Sequence, residues 1–172
     1  MPTPIVRLIP MGEADFPAYR AYFIDDYAQD LASNHGLTLA DARQQAEASL
    51  LQYLPQGAAT QDQSLLCIIP ASDTVSGDTE DNVAPTAAIV GYLWHSIDSA
   101  AHTTFIYDFY TLPAHRGLGY GKAAMAVLEA ELKGLGVSQI KLRVAYDNPR
   151  ARALYQEIGF HITGYNMAKT LG

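Results

Sequence analysis

Apolar side chains recur at steps of three and four residues along two neighbouring stretches near the amino terminus. The first stripe runs from Phe16 to Leu31 and the second from Ala42 to Leu54, a spacing that is typical of amphipathic helices. The segment 34–36, which ends in glycine, predicts the end of the first helix. Thr38 has the side chain and the position expected of an N-cap for the second helix. We therefore predict two consecutive helices in this part of the chain.

Six shorter runs are rich in β-branched and aromatic residues and predict strands. We place these strands at residues 5–9, 64–69, 88–96, 103–111, 139–145 and 161–170. Alternation along 103–111 predicts one face made of Phe105, Tyr107 and Phe109. It predicts an opposite face made of Ile106, Asp108 and Tyr110. Two further helical stripes, at 123–135 and 151–158, separate the last three strands, and Asn148 has the position of an N-cap for the second stripe.

The composition is that of one folded domain. The 172 residues are 49% hydrophobic and 17% charged, a balance that allows a buried core and excludes a disordered chain. Cys67 is the one cysteine in the sequence, so an internal disulfide and a cysteine-based zinc site are excluded, and we expect no metal. The amino terminus lacks the apolar run of a signal peptide, and no run is long enough to span a bilayer. We expect a cytoplasmic domain over residues 1–172 with no membrane partner, in which the acidic stretch 71–86 is a mobile loop.

The charge is divided unevenly along the chain. The net charge is −7, but residues 1–115 hold three basic and fourteen acidic residues, whereas 116–172 hold eight basic and four acidic ones. A chain of this overall sign generates an unfavourable field around DNA or RNA, so we expect no nucleic-acid partner. The basic part suits a compact phosphorylated ligand.

A glycine-rich segment, Arg116–Lys122, lies between the predicted strand 103–111 and the next helix. Glycines at the start of a helix let backbone N–H groups approach a phosphate, and the helix dipole favours its charge. A Walker A loop would need glycine at Arg116 and a hydroxyl residue at Ala123. A dinucleotide-binding fingerprint would need its third glycine at Lys122. The segment instead has the pattern Arg-x-x-Gly-x-Gly, which fits either a different phosphate site or a tight connection.

Three segments together resemble the acetyl-CoA-binding core of the GNAT N-acetyltransferase superfamily. They are FYTLPAHRGLGYG at 109–121, NPRARALY at 148–155 and the pair Gly159-Phe160. The resemblance implies an α/β fold with a mixed, mostly antiparallel sheet flanked by helices. It implies that this sheet splays between the strands ending at Leu112 and Ala145, and that acetyl-CoA lies in the wedge. The implied activity is transfer of the acetyl group to a primary amine of a small molecule or peptide, by direct attack in a ternary complex.

The resemblance also implies which residues hold acetyl-CoA. Backbone N–H groups from 117 to 122 would bind the pyrophosphate, and the N–H of Tyr110 would stabilise the oxyanion. Asn148 would hydrogen-bond the pantetheine arm or serve only as a helix cap, and Arg150 and Arg152 would contact a ribose phosphate or only solvent. The full set is Phe109, Tyr110, Thr111, Leu112, Arg116, Gly117, Leu118, Gly119, Tyr120, Gly121, Lys122, Asn148, Arg150 and Tyr155.

The resemblance supplies one catalytic assignment and leaves the other open. Tyr155 matches a family tyrosine that protonates the departing thiolate, although its spacing also suits a core aromatic. Many relatives carry a glutamate base on the strand before the glycine loop, where this chain has Phe105 and Tyr107. Asp108 should point to the other face unless a β-bulge re-aims it, in which case it becomes the base. Otherwise a water relayed through Tyr107 or His95 is the alternative.

The acceptor is expected to bind beside the first two helices. Tyr27, Trp94, Asp25 and Asp26 are candidates to receive its ammonium group, through charge and ring-face attraction. The predicted burial of Cys67 argues against a covalent acyl-cysteine route. Family precedent allows a homodimer. A non-catalytic acyl-CoA-binding or regulatory module is the alternative function, because the chain lacks the usual glutamate.

Overall fold

The computed structural model describes residues 3–71, 88–169 and 171, so the predicted loop at 71–86 lies outside the described residues except for Ala71. The described residues form five strands and four helices, with short 3₁₀ turns at Gly57–Ala59 and Pro113–His115. In chain order the elements are β1 (Val6–Pro10), α1 (Phe16–His35), α2 (Leu39–Tyr53), β2 (Ser64–Pro70), β3 (Gly91–Asp98), β4 (Thr103–Thr111), α3 (Tyr120–Gly134), β5 (Gln139–Leu142) and α4 (Pro149–Glu157).

The five strands form one mixed sheet in the order β1-β2-β3-β4-β5. The first three pairings are antiparallel, and β5 runs parallel to β4. Pairing between β4 and β5 stops at Ile106 and Leu142, although β4 continues to Thr111. The end of β4 therefore lies beside an open wedge, and the expected splayed, mostly antiparallel α/β sheet is confirmed.

Helices cover both faces of the sheet. On one face α1 and α2 bury Tyr19, Leu31 and Leu50 in a cluster that includes Trp94 of β3. On the other face α3 packs Met125, Leu128 and Leu132 against Leu93 and Ile106. Helix α4 buries no residue completely, and its Tyr155 packs at the margin of the second cluster. The wedge consequently opens between two well-packed layers.

Local signals in the sequence account for the helix ends. The left-handed Gly36, with φ of 64°, ends α1, and its N–H donates to the Ala32 carbonyl at 3.1 Å. The Thr38 hydroxyl accepts from the Asp41 N–H at 3.2 Å at the start of α2. The Asn148 side chain accepts from the Ala151 N–H at 3.0 Å at the start of α4. All three predicted helix boundaries are confirmed.

Two strand predictions near the carboxyl terminus are wrong. The strand predicted at 139–145 ends at Leu142, and the described part of the predicted strand 161–170, residues 161–169, is exposed and forms no strand. Strands are stabilised by hydrogen bonds to a neighbour, and residues 143–145 lose theirs because β4 turns away from β5. None of the described helices is both long and apolar enough to cross a membrane.

Candidate active site

A cleft of about 920 Å³ opens where β4 and β5 separate. Its walls come from α1, the end of α2, β3, β4, the glycine loop and the start of α4. Every residue predicted to hold acetyl-CoA lines this cleft except Leu112 and Leu118. Leu112 packs instead against the core beneath α1, and Leu118 projects outward from the loop with 49% of its surface exposed. The tertiary structure thus brings most of the predicted set to one place.

The glycine loop presents consecutive backbone donors to the cleft. Gly117 and Gly119 have φ values of 77° and 85°, in the left-handed region that favours glycine. The first bond of α3 runs from the Ala123 N–H to the Gly119 carbonyl at 3.0 Å. Among the described residues, no acceptor pairs with the N–H groups of 117 to 122. Six free donors at the positive end of a helix form a site suited to an anion.

Basic side chains lie around this loop in three different arrangements. The Arg116 Nε donates to the Thr111 carbonyl at 3.0 Å, and its guanidinium lies 5.1 Å from the centre of the Tyr110 ring. The Arg150 Nη2 lies 3.8 Å from where a side chain on Gly117 would begin. Lys122 forms an ion pair with a glutamate on α4 at 2.6 Å. Arg116 and Arg150 are therefore the basic groups best placed to join the backbone donors on a phosphate.

A β-bulge in β4 decides which side chains face the cleft. Trp94 is paired with Asp108 but His95 is paired with Ile106, so Tyr107 is the extra residue. Tyr107 stacks on Trp94 at 4.7 Å, and Asp108 meets α1, so both consecutive side chains face the α1–α2 layer. Phe109 packs on the α3 side instead. The predicted faces of β4 are therefore wrong from Asp108 onward, and the bulge is the reason.

Asp108 is held in an enclosed, largely apolar position. Its Oδ1 accepts a hydrogen bond from the Tyr22 hydroxyl at 3.0 Å. Its Oδ2 is buried and has no hydrogen-bond partner among the described residues. Burial raises the pKa of Asp108 from 3.8 to about 7, against the lowering effect of the Tyr22 hydrogen bond. Tyr19 also lies close enough to lower this pKa, although its buried hydroxyl reaches no acceptor with hydrogen-bond geometry.

Tyr155 faces the same cleft from α4. Its ring packs against Phe109 at 6.4 Å and against Phe160 at 5.5 Å. Burial raises the pKa of Tyr155, and the negative charge of Asp108 raises it further, so the phenol stays protonated. His95, in contrast, is buried with its Nδ1 at 3.1 Å from the Thr104 hydroxyl, and it does not line the cleft. The alternative relay through His95 is therefore contradicted.

The open side of β4 carries different backbone donors from the one predicted. The Leu112 N–H donates to the Val90 carbonyl at 2.9 Å, in the direction of β3. Because the N–H groups of a strand alternate between its two sides, the Tyr110 N–H also faces β3. The N–H groups of Phe109 and Thr111 consequently face the wedge. The Tyr110 N–H, which was predicted to stabilise the oxyanion, therefore points toward β3 and away from the wedge.

The acceptor side of the cleft contains two of the three helix residues proposed for it. Tyr27 and Asp26 line the cleft, whereas Asp25 turns toward α2 and pairs with Arg43 at 2.6 Å. Trp94 is only 2% exposed and its Nε1 donates to Gln63 at 2.7 Å, so the Tyr107 ring is the one available to a ligand.

Several cleft residues were not identified from the sequence, among them three that lie on α1 or α2. These three are Tyr22, Asp30 and Tyr53. Tyr22 and Asp30 lie four residues before and after Asp26, so helical spacing was the signal that would have placed them on its face.

The open sheet, the wedge and the glycine loop at its mouth define a GNAT fold. The chain matches the Acetyltransferase (GNAT) family over residues 40–160. It is 29% identical over 168 residues to the uncharacterised N-acetyltransferase YycN of Bacillus subtilis (strain 168), covering 96% of this chain and 99% of YycN. The crystal structure of YycN matches with a TM-score of 0.81 at 28% identity, over 96% of this chain and 98% of that one. The chain belongs to the GNAT acetyltransferase family.

A more distant solved structure shares the fold. The spermidine N-acetyltransferase of Vibrio cholerae, in complex with CoA and spermine, matches with a TM-score of 0.60 at 16% identity. The match covers 92% of this chain and 82% of that one. At this identity the likeness extends to the architecture alone.

Proposed function

We propose that this protein is an N-acetyltransferase that moves the acetyl group of acetyl-CoA to a primary amine by direct attack in a ternary complex. One observation carries the proposal: six free backbone donors and a buried carboxyl group with a pKa of about 7 share one cleft. The family membership and the N-acetyltransferase relative support the same reaction. The CoA bound to the V. cholerae neighbour supports the choice of donor.

The glycine loop fits the diphosphate of acetyl-CoA. A side chain on Gly119 would begin 3.0 Å from the Pro4 ring, so the backbone conformation that exposes the donors needs a residue without Cβ. The N–H groups from 117 to 122 would hold the diphosphate, and the Arg116 and Arg150 side chains would balance its charge. The free side of β4, at Phe109 and Thr111, would then bind the pantetheine arm and the thioester oxygen. When bound, acetyl-CoA supplies an acetyl thioester with an electrophilic carbonyl carbon and a thiolate leaving group.

Asp108 is the proposed general base. An alkylammonium has a pKa of about 10.4 and becomes a nucleophile only after losing a proton. A carboxylate with a pKa of about 7 is ionised at slightly basic pH, and it is far more basic there than an ordinary aspartate. The unpartnered Oδ2 offers the proton-accepting position, and Tyr22 holds the other oxygen. Tyr107, the neighbouring bulged residue, forms the wall beside the amine.

Tyr155 is the proposed general acid. Its raised pKa keeps the hydroxyl protonated, so it can give its proton to the sulfur as the carbon–sulfur bond breaks. The new carbon–nitrogen bond leaves an extra proton on the nitrogen, and this proton restores the Tyr155 phenol. Asp108 releases to solvent the proton that it took from the ammonium. The products are then the acetamide and CoA thiol, with protons balanced.

The proposal is tested by two measurements. Thiol release from acetyl-CoA is followed with a thiol reagent across a panel of primary amines, and CoA binding is followed by calorimetry. Amine-dependent thiol release supports the enzyme. CoA binding without turnover for any acceptor supports the non-catalytic module, and the absence of CoA heat refutes both.

A further inference from the structure

Two tyrosines of α1 lie against the carboxyl group of Asp108. The Tyr22 hydroxyl donates to Oδ1 at 3.0 Å. Tyr19 lies three residues earlier on the same helix, and the two tyrosine rings are 6.1 Å apart. We propose that Tyr19 and Tyr22 are positioning residues, which fix the rotation of the Asp108 carboxyl group with one phenol on each oxygen. This inference rests on the proposed function and assigns two residues that act through its base.

A pair of buried polar atoms is the evidence for Tyr19. Among the described residues, the Tyr19 hydroxyl and the Asp108 Oδ2 are the two buried side-chain nitrogen or oxygen atoms without a hydrogen-bond partner. An unpaired buried atom of this kind is costly, and most are satisfied in folded proteins. Burial raises the pKa of Tyr19 and the charge of Asp108 raises it further, so the two groups are neighbours. A small movement that brings the phenol onto Oδ2 would satisfy both atoms at once.

Other aromatic side chains hold both tyrosine rings in place. Tyr22 stacks on Tyr110 with the ring centres 3.7 Å apart. Tyr19 is completely buried and packs edge-on against Tyr92 with the ring centres 5.3 Å apart. A phenol whose ring is locked by packing loses little freedom when its hydroxyl forms a hydrogen bond. The two donors are therefore preorganised for one orientation of the carboxyl group.

The phenols also act on the charge of the base. A carboxylate offers about four acceptor positions, so two phenols leave room on Oδ2 for an amine N–H. Burial raises the pKa of Asp108 to about 7 and Asp26 raises it too, whereas hydrogen bonds from the two phenols and the Phe109 N–H lower it. From the other elements, β3 pairs the non-titrating Trp94 with Asp108, and α4 contributes the protonated Tyr155. Removal of either phenol should therefore make the carboxyl group harder to ionise.

The test compares conservative variants that each lose a phenol hydroxyl and keep the packed ring, so that each should fold. Thiol release with the best amine of the panel is measured from pH 5 to pH 9, and CoA affinity by calorimetry, for Tyr19→Phe, Tyr22→Phe and the double variant. Tyr92→Phe is the matched control. It removes a phenol hydroxyl from the same aromatic cluster, outside the cleft and without a hydrogen bond to Asp108 among the described residues.

The expected readout is the position of the pH profile, which a merely structural role would not move. Tyr22→Phe should raise the apparent pKa of kcat/KM by about one unit, because it deletes a hydrogen bond to a charged group. At pH 7 this corresponds to a loss of about fivefold in kcat/KM. Tyr19→Phe should raise the apparent pKa by about half a unit or more, and the double variant should exceed either. Tyr92→Phe should keep the original profile, and all variants should bind CoA normally.

The outcomes separate this inference from the proposed function. An apparent pKa that either Tyr19→Phe or Tyr22→Phe leaves in place, or an equal movement in Tyr92→Phe, would overturn the two-phenol arrangement while leaving the acetyltransferase intact. If no amine is acetylated, the proposed function fails, and the Asp108 carboxyl carbon is titrated by ¹³C NMR with Asp108→Asn to assign its signal. The same upward order of pKa values supports the arrangement, and identical titrations overturn it.

Discussion

Replacing Asp108 with asparagine should slow catalysis sharply and should remove a loss of folding stability that grows with pH. The substitution keeps the shape of the side chain and an acceptor for the Tyr22 hydroxyl, but it removes the proton-accepting carboxylate. Loss of a general base typically reduces the rate by about 10²- to 10⁴-fold. We expect kcat to fall in this range while the affinity for CoA is retained.

The magnitude of the stability effect follows from the pKa of the carboxyl group. The pKa is about 7 in the folded protein and 3.8 ordinarily, because burial disfavours the charged form. The folded state therefore holds the proton more tightly, and stability falls as the pH rises from the unfolded to the folded pKa. At 1.36 kcal/mol per pKa unit, ionisation of Asp108 lowers the free energy of unfolding by about 2–3 kcal/mol between pH 5 and pH 8. Neighbouring groups that face Asp108 are Tyr19, Tyr22, Asp26 and Tyr155.

The assay is chemical denaturation of the two proteins at pH 5 and pH 8. Between pH 5 and pH 8 the unaltered protein should lose about 2–3 kcal/mol of unfolding free energy that Asp108→Asn retains. Asp62→Asn, at an exposed turn, is the control and should show no such change. The kcat/KM of the unaltered protein should also rise through an apparent pKa near 7. A parallel pH dependence of stability in the two proteins, together with retained turnover, would refute the assignment of Asp108 as base.

Three further outcomes are expected. Tyr155→Phe should lower kcat by about 10²-fold or more with little change in the CoA dissociation constant, and an unchanged rate would assign Tyr155 to packing alone. Gly119→Ala should destabilise the fold by about 1 kcal/mol or more and weaken CoA binding in calorimetry, because φ is 85° and the new Cβ meets Pro4. Gly134→Ala is its control and should bind CoA normally, because the new Cβ would meet no described atom within 4 Å beyond its own helix turn and chain neighbours. Burial raises the pKa of the Cys67 thiol to about 11, so iodoacetamide should label it only under denaturing conditions, and rapid labelling of the native protein would contradict its position.

Much of the architecture was predictable because its signals are local. Helix boundaries are set by hydrogen bonds to residues within four positions. Thr38 and Asn148 begin their helices in this way, and Gly36 ends one. The strand at 103–111 was predicted with the bounds that the structure has. Predictions failed at 143–145 and at 161–169, where a strand depends on a partner that the local pattern does not reveal.

The sequence alone also determined the position of the glycine loop and its suitability for an anion, since glycine spacing and a helix start are properties of neighbouring residues. The orientation of Asp108 belongs to the tertiary structure. Strict alternation places Asp108 on the face opposite Tyr107, and one extra residue in the pairing of β4 with β3 brings Asp108 to the face that Tyr107 occupies, toward α1 and α2. Tyr22 and the Asp26–Asp30 pair then reach the same cleft because α1 packs across that face. These contacts join residues far apart in the chain, so only folding brings Asp108, its hydrogen-bond donor Tyr22 and the acidic side chains of α1 together.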